Sequence, residues 1–191
     1  MDTIVWILIL LTAFNFLLKQ TFWKPVAVGA AAGIAAIFVI LMWPYAIEQS
    51  KTQIADWLSD NQLMLDTSVV LTLEIVLQMA FCLLAVHVAN YSPVKKRMML
   101  AYRLLYWFPG VLIIPVLFFG LTQAVFSFPG VSFKLIAWFF GAFVFVIIPL
   151  GRWLIKWLLP EEDLRLELFF LTNALVAILG IIATVNGRTA V

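Results

Sequence analysis

Six stretches of this chain, residues 3–18, 26–47, 67–90, 104–127, 131–151 and 164–186, run on almost without charge, and no other feature limits the fold so strongly. A helix crosses a hydrocarbon core with about 20 apolar residues, and in lipid it pairs its own backbone groups without help from water. The expected fold is therefore an all-α integral membrane protein with six transmembrane helices. The connections are short apart from 48–66, so residues 1–191 are expected to form a single transmembrane domain. With 12% charged residues and a mean hydropathy of +1.09, the principal partner is the lipid bilayer. A net charge of +2 without a long basic run argues against nucleic acid. Cys82 is the only cysteine, which excludes an intrachain disulfide and a multi-thiolate metal site. Asp2 stands where a signal peptide carries Lys or Arg, so the first apolar run is expected to be retained.

Cytoplasmic loops hold an excess of Lys and Arg. If both termini lie outside, the inner segments collect Lys19, Lys24, Lys95, Lys96, Arg97, Arg103, Arg152, Lys156 and Arg165, against Lys51, Lys134 and Arg188 outside. This asymmetry favours both termini outside, in a multi-pass protein of a prokaryotic cytoplasmic (inner) membrane. Trp23, Trp43, Tyr45, Tyr91, Tyr102, Tyr106, Trp107, Trp153 and Trp157 lie near the span ends, where aromatic rings anchor at the headgroups. In the longest connection, Ile54, Trp57 and Leu58 have helical spacing opposite Asp56, Ser59 and Asp60. The pattern predicts a short interfacial amphipathic helix near 50–65, with Asp66 as the N-cap of the third span.

Glu74 is the anomaly in LTLEIVLQMAFC, because a carboxylate within a span is costly and marks a functional position by default. Thr67, Glu74 and Gln78 share a narrow helical arc, which predicts a polar stripe turned to protein or water. Glu74 and Gln78 are candidates for a proton or cation site, and a helix-joining hydrogen bond is the structural alternative. Glu167, in LRLE at 164–167, echoes Glu74 in LTLE at 71–74 and is a third candidate. The echo suggests a weak 3+3 repeat, residues 1–91 and 104–191, whose halves would be inverted as in many transporters. Asn173, Gly180 and Thr184 form one polar line and Thr12, Asn15 and Lys19 another; Asn173 and Thr184 are expected to line a pathway or join helices. Gly29 and Gly33 predict a close helix contact. Pro109 with Gly110, Pro115 and Pro149 predict kinks or breaks.

No acid–base constellation suggests an enzyme, and His87, the single histidine, has no companions that would make it a metal or haem ligand. No catalytic, cofactor or metal residues are assigned. The segment LGIIATVNG at 179–187 resembles the Gly-rich Thr-Val-x-Gly segment of proton-channel subunits of the ExbB and TolQ type over nine residues, with Ala183 where that pattern has Gly. The resemblance is local, and no role is transferred from it. The expected function is transport, proton- or cation-coupled. The alternative is a non-catalytic accessory subunit of a larger membrane complex, with a second copy or other membrane subunits as partners.

Overall fold

The computed structural model describes residues 2–48, 61–91, 93–128 and 130–189, with side chains described between 6 and 182 outside 49–66, 92 and 129. The described residues form seven helices and no strands: α1 (Asp2–Gln20), α2 (Pro25–Glu48), α3 (Asn61–Asn90), α4 (Lys96–Trp107), α5 (Ile113–Ser127), α6 (Phe133–Leu158) and α7 (Glu162–Thr189). Four segments are long and apolar enough to cross a membrane: Pro25–Glu48, Thr67–Asn90, Phe133–Leu158 and Glu162–Ile182. Shorter apolar helices occupy Trp6–Gln20 and Ile113–Ser127. The architecture is that of a helical multi-pass membrane protein.

Two sequence expectations change. The span expected at 104–127 is interrupted: α4 ends at Trp107 and α5 begins at Ile113. Pro109 cannot donate a helical hydrogen bond and disfavours a helical Phe108, which is extended at φ −75° and ψ 109°. Gly110 follows at φ +99°, a conformation that a side chain disfavours. By contrast, Pro115 is tolerated in the first turn of α5, while Pro149 and Pro44 remain inside α6 and α2. The second change concerns Asp66. Helix α3 already includes Asn61, so Asp66 lies within it and is not its N-cap. Of the expected interfacial segment, residues 50–60 lie outside the described residues.

The two largest helix contacts are α2 with α6 and α3 with α7, and α1 lies against α5, α6 and α7. Val28, Ala32, Ala35 and Val39 of α2 form one core with Ile136, Ala137, Val144 and Ile148 of α6 and Leu121 and Val125 of α5. A second core joins Leu18 of α1, Phe81 and Cys82 of α3, Ile155 of α6, and Leu166 and Phe169 of α7. In lipid such contacts depend on packing, so small residues control how closely two helices approach.

The small residue that sets this spacing within the chain is Gly141, not Gly29 or Gly33. A Cβ at Gly141 would fall 2.8 Å from Ile40 Cγ1 and 3.3 Å from the Ala36 carbonyl oxygen, whereas Cβ atoms at Gly29 and Gly33 would meet nothing within 4 Å. Gly141→Val is therefore expected to destabilise the protein by about 1–3 kcal/mol through overpacking. Thermal unfolding in detergent would register this as a lowered midpoint, with Gly29→Ala and Gly33→Ala nearly silent; equal losses at all three positions would contradict the assignment.

Candidate functional site

The break between α4 and α5 creates the need that Glu74 meets. The first amides of a helix have no partner within it, and in an apolar environment each requires an acceptor from elsewhere. Leu112, the N-cap residue of α5, supplies no side-chain cap. Instead Glu74 reaches from α3: its Oε2 accepts the Val111 N–H at 2.6 Å and the Leu112 N–H at 2.7 Å. The carboxylate also lies at the positive end of the α5 dipole. Gln78, one turn further along α3, donates from its amide to the same carboxylate. Gly110 fits this corner because a Cβ there would fall 2.5 Å from Glu74 Oε1 and 3.1 Å from Gln78 Nε2.

These groups border a small cavity between α1, α3, α7 and the α4–α5 break. Thr12, Asn15, Glu74, Gln78 and Asn173 provide its polar lining, with Phe16, Ile75, Pro109, Ile113 and Val176 among the apolar groups. The volume open to the centre of a water-sized sphere is about 10 Å³, enough for one water or a bare ion of similar size. Gln78 is 4% exposed and Asn15 is 9% exposed, yet Gln78 Oε1 and Asn15 Oδ1 have no hydrogen-bond partner. Asn173 donates from Nδ2 to the Phe169 carbonyl at 2.7 Å, which leaves its own oxygen outside that bond. The site combines one carboxylate with several neutral oxygens. Among the described residues, no group of three or more His, Cys, Asp or Glu side chains could hold a metal ion.

The structure brings Glu74, Gln78 and Asn173, which the sequence placed on two separate polar lines, to one cavity, and Thr12 and Asn15 of α1 border it as well. Glu167 does not. It is exposed and lines a separate groove with Cys82 and Asp163, between α3 and α7. The Thr184 side chain lies outside the described residues. His87 stacks on Tyr91, with ring centroids 4.7 Å apart, near the end of α3.

A second polar cluster escaped the sequence reading, which placed Lys19 among the loop cations. Lys19 is fully buried; its Nζ lies 3.0 Å from the centroid of the Phe81 ring and donates to the Leu105 carbonyl at 3.0 Å. The ring face and the carbonyl replace the carboxylate that a buried ammonium usually requires. Two arginines are held in a related way. Arg152 donates to the Gln20 and Trp23 carbonyls, and Arg165 donates to the Leu159 and Pro160 carbonyls. All three cations therefore serve carbonyls at or just beyond helix C-termini, where the dipole favours positive charge. Trp23 Nε1 donates to the Tyr106 carbonyl at 2.6 Å, and the Tyr106 hydroxyl donates to the Phe22 carbonyl at 2.7 Å. Gln20 is buried in the same region with neither end of its amide partnered. The sequence signal for this cluster was a lysine beside apolar and aromatic residues with no acid near it.

No protein-family model, curated protein or solved structure matches this chain significantly. The site's own chemistry therefore carries the functional reading.

Removing the Glu74 carboxylate would strand two amides. Glu74→Ala is expected to cost about 2–6 kcal/mol, at about 1–3 kcal/mol for each amide left without an acceptor in an apolar setting. Glu74→Gln keeps an acceptor oxygen and should lose about half as much; thermal unfolding in detergent compares the two, and identical midpoints for Glu74→Ala and the native protein would contradict the cap. At Lys19 the expected contrast differs. Lys19→Met, which keeps the apolar contacts but leaves the Leu105 carbonyl without its donor, should cost about 1–3 kcal/mol. Lys19→Glu puts an acceptor against the Leu105 carbonyl and an anion against the Phe81 ring, and should prevent recovery of folded protein.

Proposed function

We propose that this membrane protein is a small cation-coupled transporter, moving a proton or a metal cation through the site between α1, α3 and α7. One observation carries the reading: a carboxylate and two buried amide side chains with unpartnered oxygens line a space the size of one water. A cavity formed only by packing would ordinarily be apolar and dry, whereas buried oxygens left open call for a water or a positive charge. An ionisable group within membrane-spanning segments belongs, by default, to an ion pathway.

The α4–α5 break adds support, since interrupted helices form ion and substrate sites in secondary transporters. Three packed pairs, α1 with α5, α2 with α6 and α3 with α7, join corresponding helices of the proposed 3+3 halves. Inverted halves are the plan on which many such transporters alternate access. The assigned role is transport without a catalytic reaction.

A second reading, an accessory subunit of a larger membrane complex, is favoured by Gly29 and Gly33. They form an unfilled position on α2 at which a helix of another chain or a second copy could approach closely.

Asn15 provides the test, because its Oδ1 has no hydrogen-bond partner within the fold. In proteoliposomes, the native protein should dissipate imposed proton or cation gradients. Asn15→Leu should slow that flux by roughly tenfold or more, a barrier change of about 1.4 kcal/mol, at an unchanged thermal midpoint. A native protein that carries no flux but copurifies stoichiometrically with another membrane protein would support the subunit reading.

A further inference from the structure

We propose that the cavity between α1, α3 and α7 is a binding site for one sodium ion, with Glu74, Gln78 and Asn15 as principal ligands and Thr12 and Asn173 completing the oxygen set. The inference rests on the transport reading and specifies its ion.

The donor atoms define the class of ligand. Each polar side chain that lines the cavity carries an oxygen, and oxygen ligands suit hard cations such as alkali and alkaline-earth ions. Gln78 donates its Nε2 to Glu74, which leaves Oε1 as the end that can bind an ion. Glu74 Oε2 takes the amides of Val111 and Leu112 and the carboxylate also accepts from Gln78, so an ion would use the lone pairs that these three donors leave open. Asn15 Oδ1 approaches from α1 with no competing donor. Both amide side chains are more than nine-tenths buried, so their oxygens have been withdrawn from solvent without a partner in the fold. That arrangement is unfavourable unless something positive or hydrogen-bonding fills the space.

Charge and size select within the class. One carboxylate balances one positive charge, whereas a divalent ion would leave an uncompensated charge in an apolar setting. The cavity has room for one water-sized sphere, and its five oxygen-bearing side chains suit the smaller coordination number of sodium better than the larger one of potassium. Two N–H groups already offset part of the Glu74 charge, so the ion is held weakly enough to leave. Ready release is what a coupling ion requires.

The test uses the purified full-length chain in detergent at constant ionic strength, with choline chloride replaced by sodium, lithium or potassium chloride. Equilibrium binding of radioactive sodium should saturate near one ion per chain. Sodium should raise the thermal midpoint more than potassium does. Asn15→Leu, which folds normally on this reading, should weaken sodium binding by at least the roughly tenfold cost of losing a supporting group at a metal site. No saturable sodium binding, binding unaffected by Asn15→Leu, or equal stabilisation by potassium would each overturn the inference. Proton flux in sodium-free proteoliposomes from a chain that binds no sodium would overturn this inference and keep the transport reading. Site-specific sodium binding by a chain without flux would keep the inference and overturn that reading.

Discussion

Backbone amides at a helix start retain their need for an acceptor when the helix starts in an apolar environment, and much of this molecule is arranged around one such start. The Glu74 carboxylate supplies the acceptor for Val111 and Leu112. It links α3 to the α4–α5 break and brings α3 and its Gln78 to the cavity that α1 and α7 also line. Water cannot serve the same need within lipid, so the bond is worth more there than at a soluble helix end. Gly110 belongs to the same arrangement: its positive φ turns the chain, and its missing side chain leaves room for the carboxylate.

The same logic, with the sign reversed, operates where helices end. Lys19, Arg152 and Arg165 donate to carbonyls at or just beyond helix C-termini, and aromatic faces cover the Lys19 ammonium. The molecule therefore places an anion at a helix start and cations at helix ends, matching charge to the backbone dipole. Between these clusters, α1 carries both Asn15 of the cavity and Lys19 of the aromatic site.

Several features were legible before the fold was known because they depend on spacing along one helix. The arc of Thr67, Glu74 and Gln78 follows from 3.6 residues per turn, and Pro109–Gly110 signals an interrupted helix from local chemistry alone. The pairing of that interruption with Glu74 was not legible, since the partners are 37 and 38 residues apart. Gly29 and Gly33 predicted a close helix contact without naming its partner; within the chain, α6 approaches α2 through Gly141 and neighbouring alanines, and nothing lies within 4 Å of a Cβ at either glycine. Glu167 matched Glu74 in local sequence and proved exposed, because two matching leucines before a carboxylate do not determine which face a neighbouring helix covers.

By itself, the sequence determined that this is a helical membrane protein: long uncharged runs with short links require a solvent in which only self-satisfied backbone is stable. It also identified Glu74 as a group needing a partner, since an ionised side chain inside a span is too costly to leave alone. Tertiary structure alone decided what that partner is, which oxygens remain open beside it, and that Lys19 lies under aromatic rings instead of in a loop. The reason lies in the range of the forces. Hydrophobicity and helical periodicity act along the chain and can be read locally, whereas the satisfaction of a buried polar atom depends on which distant helix packing brings within hydrogen-bond reach.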